Sequence, residues 1–175
     1  VLGSFIIMLL MVEGFARILD MKPKNYQVDV HISPEGGFVQ PDSLLGFITK
    51  PGIFDFTVNE GLQFTATNKK DGFRSSGSNS TNDSLPEIWI LGCSFTYGWG
   101  VNNDATYASM LNEDLPNYSI KNYGMLAYGT LQQYLLLKKL LQSKTQPALV
   151  LLAYSDIHDE RNVSTRKWHN SLQGY

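Results

Sequence analysis

The chain has 175 residues, of which 43% are hydrophobic and 17% charged, and a formal net charge of −2. That is enough for one ordinary domain with a real core, and the composition excludes a chain disordered as a whole. The scattered lysines and arginines exclude the basic footprint of a nucleic-acid binder, and the single cysteine, Cys93, excludes an intrachain disulfide or a cysteine zinc site.

The first twelve residues, Val1 to Val12, carry no charge. A membrane span needs about 20 apolar residues, so this run alone is short. Because the sequence opens on valine, it reads as the end of a longer apolar segment. Glu13 and Arg17 then sit four apart, as on a helix leaving an apolar zone. Residues 1–19 are therefore expected to form the partial helix of an N-terminal membrane anchor, with the membrane as a partner. A buried core helix is the alternative. A cleaved secretory signal fits less well, since no Ala-x-Ala-type site follows.

Residues 20–85 have a different texture. Lys22-Pro23-Lys24 stops the first helix. Tyr26 to Ile32 alternates in the manner of a strand. Prolines and glycines then break the chain often, leaving room for short strands at about 53–58 and 62–68. Asn68 to Arg74 reads as a polar turn, and Ser75 to Ser84 as a flexible Ser/Asn loop. The whole stretch is expected to be an irregular β-rich segment.

From residue 86 to 175 the pattern becomes regular. An apolar strand at 87–91 leads into a turn, then a helix at about 105–115 ended by Pro116-Asn117. A second strand spans 118–122, a glycine-bearing loop 123–128 and a strongly apolar helix 129–142. A third strand, 148–154, follows Pro147. This β-α-β-α-β order predicts right-handed crossovers and a parallel sheet with helices on its faces. Parallel strands end on one side, so Ser94, Gly124 and the Ser155-Asp156 pair are expected at one rim, where open α/β sheets hold their ligands.

Gly92 permits a sharp turn after the first of these strands, and Ser94 follows as either a nucleophile or a turn residue. Gly92-Cys93-Ser94-Phe95-Thr96 with Gly98-Trp99-Gly100-Val101 resembles the first block of the SGNH (GDSL-like) hydrolases, in the form common among membrane-anchored bacterial members. Asn122-Tyr123-Gly124 with Gly129-Thr130 and Gln132 resembles the second block. Ala153-Tyr154-Ser155-Asp156 stands where the third should be. Three departures accompany the likeness. Cys93 replaces the usual aspartate, Ser155 stands for the usual asparagine, and no Asp-x-x-His block is present.

The resemblance implies a three-layer α/β/α, flavodoxin-like parallel sheet. It implies a serine esterase acting on acyl esters, such as those of cell-envelope glycans or lipids, from a domain held outside the cytoplasm. Ser94 would attack the acyl carbon, and the amides of Ser94 and Gly124 would hold the oxyanion. Ser155 would take the asparagine's place, and Asp156 would act beside it or anchor the loop. No cofactor and no metal are expected. An O-acetyltransferase using the same serine, or a catalytically silent membrane-anchored binding domain, are the alternatives.

Each of these residues also has a plain structural reading. Cys93 reads as a buried, inert thiol. Gly124 can be a turn glycine, and Ser155 and Asp156 can cap the loop after the third strand. His158, among Asp156, Asp159 and Glu160, is a candidate base, though a histidine in an acidic loop is more often solvated. The same acids without spaced histidines are a weak metal signal.

Overall fold

A computed structural model describes residues 2–19, 28–59, 61–77, 84–143 and 146–163. The Lys22-Pro23-Lys24 helix stop, the start of the strand expected from Tyr26, most of the Ser/Asn loop and His169 lie outside the described residues.

The N-terminal helix, α1 (Leu2–Ile18), forms as expected and carries the Arg17–Glu13 pair at 2.8 Å. It does not bear out the membrane anchor. No described helix is long and apolar enough to cross a membrane. The expectations of a membrane partner and of an extracytoplasmic domain tethered by this helix are corrected accordingly.

The β-rich segment is more regular than the breaks in its sequence suggest. Strand β1 (Val30–Ser33) pairs with β4 (Gly52–Val58), which pairs with β5 (Leu62–Asn68), all antiparallel. Strands β2 (Val39–Asp42) and β3 (Gly46–Thr49) form a separate hairpin that the sequence did not announce. Alternation along β4 and β5 turns Phe54, Phe56, Phe64 and Ala66 inward. These pack with Phe38 and Tyr97 into one core, in which the Phe56 and Phe64 rings stack 4.6 Å apart.

The second half is a three-stranded parallel sheet of β6 (Glu87–Gly92), β7 (Ser119–Gly124) and β8 (Leu149–Leu152), in the order β7-β6-β8. The central strand is buried on both faces, as its continuous apolar run predicts. Ile88 and Ile90 face α3 (Tyr107–Asp114) through Ala108 and Leu111. Trp89 and Leu91 face α4 (Thr130–Ser143) through Leu136 and Leu140. Thr106 caps α3 by accepting from the Ser109 amide. The Gln132 side chain accepts the Gly129 amide at the head of α4, and its Nε2 donates to Leu45 of the hairpin. The chain is thus a mixed α/β protein with an N-terminal helix, two small antiparallel sheets and one parallel sheet.

A single short turn of helix, α2 (Ser94–Tyr97), follows β6 and lies over the ends of β6 and β7. Gly92 and Gly124 stand opposite each other in the parallel register. A Cβ on Gly92 would lie 2.7 Å from Thr96 Cβ, and one on Gly124 would lie 2.6 Å from the Thr96 carbonyl carbon. Side chains at either position would lift α2 off the sheet. Gly124→Ala is expected to cost about 1–3 kcal/mol of stability, since backbone rather than a flexible side chain occupies the space. A urea denaturation curve compared with the wild type checks this, and an unchanged midpoint would refute the seat.

Candidate functional site

Ser94 is the first residue of α2, set at the carboxyl end of the central strand. The turn that places it is held from three directions. The Tyr97, Gly98 and Trp99 amides bond back to the Cys93 and Ser94 carbonyls at 2.9–3.0 Å, and Gly98 closes the turn in the left-handed region at φ 84°. Asn122 Nδ2 donates to the Thr96 carbonyl at 2.8 Å. The third support comes from Arg74, which is wholly buried. Its guanidinium donates to the Tyr97, Gly98, Val101 and Thr65 carbonyls and to Asn103 Oδ1, and it stacks over the Tyr97 ring at 4.9 Å. Burial lowers the Arg74 pKa and raises that of Tyr97, whose hydroxyl donates to Asn68. The stretch that reads as a polar turn in sequence therefore carries the main tie between the β-rich segment and the serine's helix.

Ser94 is half-buried and opens onto a cavity of about 270 Å³. The wall is largely apolar, built from Val30 and Ile32 of β1, Phe38, Val39, Trp99 and Leu126. The β-rich segment thus supplies much of the lining and the parallel sheet supplies the serine. Among the described residues nothing hydrogen-bonds to Ser94 Oγ.

The other expected site residues fare differently. The Gly124 amide is taken by Asn122 Oδ1 at 2.9 Å, and its missing side chain is explained by α2 lying against it. It is a packing glycine here and does not line the cavity. Ser155 and Asp156 do not line it either. Asp156 Oδ1 accepts from the Ile157 amide and from Ser155 Oγ, which caps α5 (Ile157–Val163). The rim therefore gathers strand ends as expected, but only Ser94 of the four reaches the cavity. Cys93 is buried, in keeping with an inert thiol. Among the described residues no three His, Cys, Asp or Glu side chains converge where a metal could sit.

One lining residue escaped the sequence reading. Ala127, in the loop after β7, has φ 57°, a left-handed conformation that costs an alanine about 1–2 kcal/mol. It occupies the third position of a turn closed by the Tyr128 amide on the Met125 carbonyl. Turns with a positive φ there favour glycine. Among the described residues the Ala127 amide has no partner, and Ala127 lines the same cavity as Ser94. Backbone strain of this kind tends to be stored at functional loops. An alanine carries no sequence mark of it.

No histidine among the described residues lines the cavity. His31, on β1, is exposed and faces Asp29 at 3.4 Å, while its neighbours Val30 and Ile32 turn inward. His158 is fully buried in α5, its Nδ1 accepting from the Ser155 amide at 3.3 Å and its ring edge-on to Tyr154. Burial, then the nearby Arg161 charge, lowers its pKa below the ordinary 6.5, against smaller opposing effects of Asp159 and Asp156. The folded state therefore prefers the neutral ring. Its contribution is intact above about pH 6.5 and is lost as pH falls from that unfolded value toward the depressed folded one. Thermal melts between pH 7.5 and 5.5 are expected to show a loss of stability that shrinks in His158→Gln. An identical pH slope in the variant would rule this out.

No protein-family model matches the chain, and no curated protein matches it.

Proposed function

We propose that the chain carries the nucleophile and acyl pocket of an SGNH-type serine esterase, with Ser94 as the attacking residue. The observation that carries this reading is the unpartnered Ser94 hydroxyl at the end of a doubly buried central strand, open to an apolar cavity. The strand order supports it. β7-β6-β8 corresponds to the first three strands of the 2-1-3-4-5 order of flavodoxin-like sheets, whose ligands bind at the carboxyl ends.

In the proposed reaction the acyl chain lies against Val30, Ile32, Phe38 and Leu126, with its carbonyl carbon beside Ser94. Ser94 Oγ attacks that carbon, a base takes the hydroxyl proton, and the ester C–O bond breaks as the base passes that proton to the departing alcohol oxygen. The Ser94 amide would hold the oxyanion, as the resemblance implies, and the Ala127 amide, rather than that of Gly124, is a second candidate donor. A donor in that role is worth about 3–4 kcal/mol of transition-state stabilisation. Water then releases the acid, or a sugar hydroxyl accepts the acyl group if the protein is an O-acetyltransferase. The lack of a cavity-lining histidine among the described residues favours the second reading, a silent binding domain, to the extent that no other base serves Ser94.

A fluorophosphonate probe on the full-length protein separates the two. The expected result is one label per chain, absent in Ser94→Ala. A folded protein that takes no label, or a variant that labels equally, contradicts the proposal.

A further inference from the structure

Among the described residues, five buried side-chain atoms lack a hydrogen-bond partner, and they are not scattered. They are Thr130 Oγ1, both amide atoms of Gln133, His158 Nε2 and Arg161 Nε, all on α4's first turns or on α5. The two helices meet here. Asn162 Oδ1 accepts the Leu131 amide at 3.2 Å, and a Cβ on Gly129 would meet that same oxygen at 2.5 Å. Elsewhere buried polar groups such as Arg74 and Asn122 are well bonded. Unpaired buried polar atoms are rare in folded proteins because each forfeits its water without recompense.

Arg161 is the member of this group that lines the Ser94 cavity. One of its terminal nitrogens, Nη1, donates to the Tyr128 carbonyl at 3.2 Å, and its Nε–H is unpaired. Among the described residues no carboxylate pairs with it. Every other side chain of the wall except Ser94 is apolar. A permanent charge in such a wall, without a counter-ion, is matched by a ligand that brings one.

We propose that the cavity binds an amphiphile whose apolar body lies against Val30, Ile32, Phe38 and Leu126 and whose anionic head, a carboxylate or phosphate, pairs with Arg161. The guanidinium fork suits both anions, which offer two oxygens in its plane. The inference deepens the esterase reading, on which its catalytic meaning rests. The substrate would be an acyl ester bearing an anionic group close to the scissile bond. The binding itself needs no turnover, so the two can fail separately.

The test is calorimetric titration of the full-length protein with octanoate, octyl phosphate and 1-octanol below their micellar concentrations, with Trp99 emission as a second readout. At least one anion is expected to bind about tenfold or more tightly than the alcohol. Which anion wins identifies the head group. Arg161→Gln should erase the preference while leaving octanol binding unchanged, and Arg161→Lys should keep part of it. Equal affinity for anions and alcohol, or a preference that survives in Arg161→Gln, overturns the proposal. Should Arg161→Gln not fold, the wild-type comparison and the lysine variant decide alone. Failure to label with fluorophosphonate alongside anion-selective binding would remove the esterase and leave the site.

Discussion

Two glycines facing each other across parallel strands are the constraint on which the rest of the site depends. Gly92 and Gly124 flatten the carboxyl edge of the sheet so that α2 rests directly on it. Contact this close lets Asn122 reach the Thr96 carbonyl and brings Tyr97 down into the aromatic core of the antiparallel sheet. Ser94, at the start of the same turn, is left facing outward over the strand end. A bulkier edge would displace the helix, the aromatic contact and the serine together.

The β-rich segment completes what the parallel sheet begins. Its Phe38, Phe56 and Phe64 rings grip Tyr97 and Trp99 on the chain that follows the serine. Arg74 reinforces this grip from inside, satisfying carbonyls of the α2 turn that would otherwise be buried without donors. The inner face of β1 then becomes the cavity wall. Segment and sheet therefore share one site, although their sequence textures differ sharply.

Much of the fold was legible because its signals are local. The unbroken apolar run Ile88 to Leu91 marks a strand buried on both faces, and the alternation in β4 and β5 marks their inward aromatic rings. Proline and glycine punctuation placed α3, α4 and the strand between them to within a few residues. The site was legible only at Ser94, where a strand runs straight into a glycine-framed hydroxyl. Gly124, Ser155 and Asp156 carry the right residue types at the right rim, yet hydrogen bonds to Asn122 and to the α5 cap occupy them. Those partners are set by side-chain direction, which spacing does not encode. Ala127 and Arg161 were missed for the converse reason. An alanine shows no trace of its positive φ, and an arginine on a polar helix reads as solvated until the cavity beside it is seen. The membrane anchor expected from the apolar run at the start of the chain is not supported, because no described helix is long and apolar enough to cross a membrane.

The central claim is that Ser94 receives an acyl group from the apolar cavity it faces. The most direct measurement is a stopped-flow record of nitrophenolate release from p-nitrophenyl acetate and p-nitrophenyl octanoate by the full-length protein. The account predicts a burst approaching one equivalent, faster with the octanoyl ester, which fills the cavity, and absent in Ser94→Ala. No burst from the folded protein, or one that persists in the variant or ignores chain length, would contradict it.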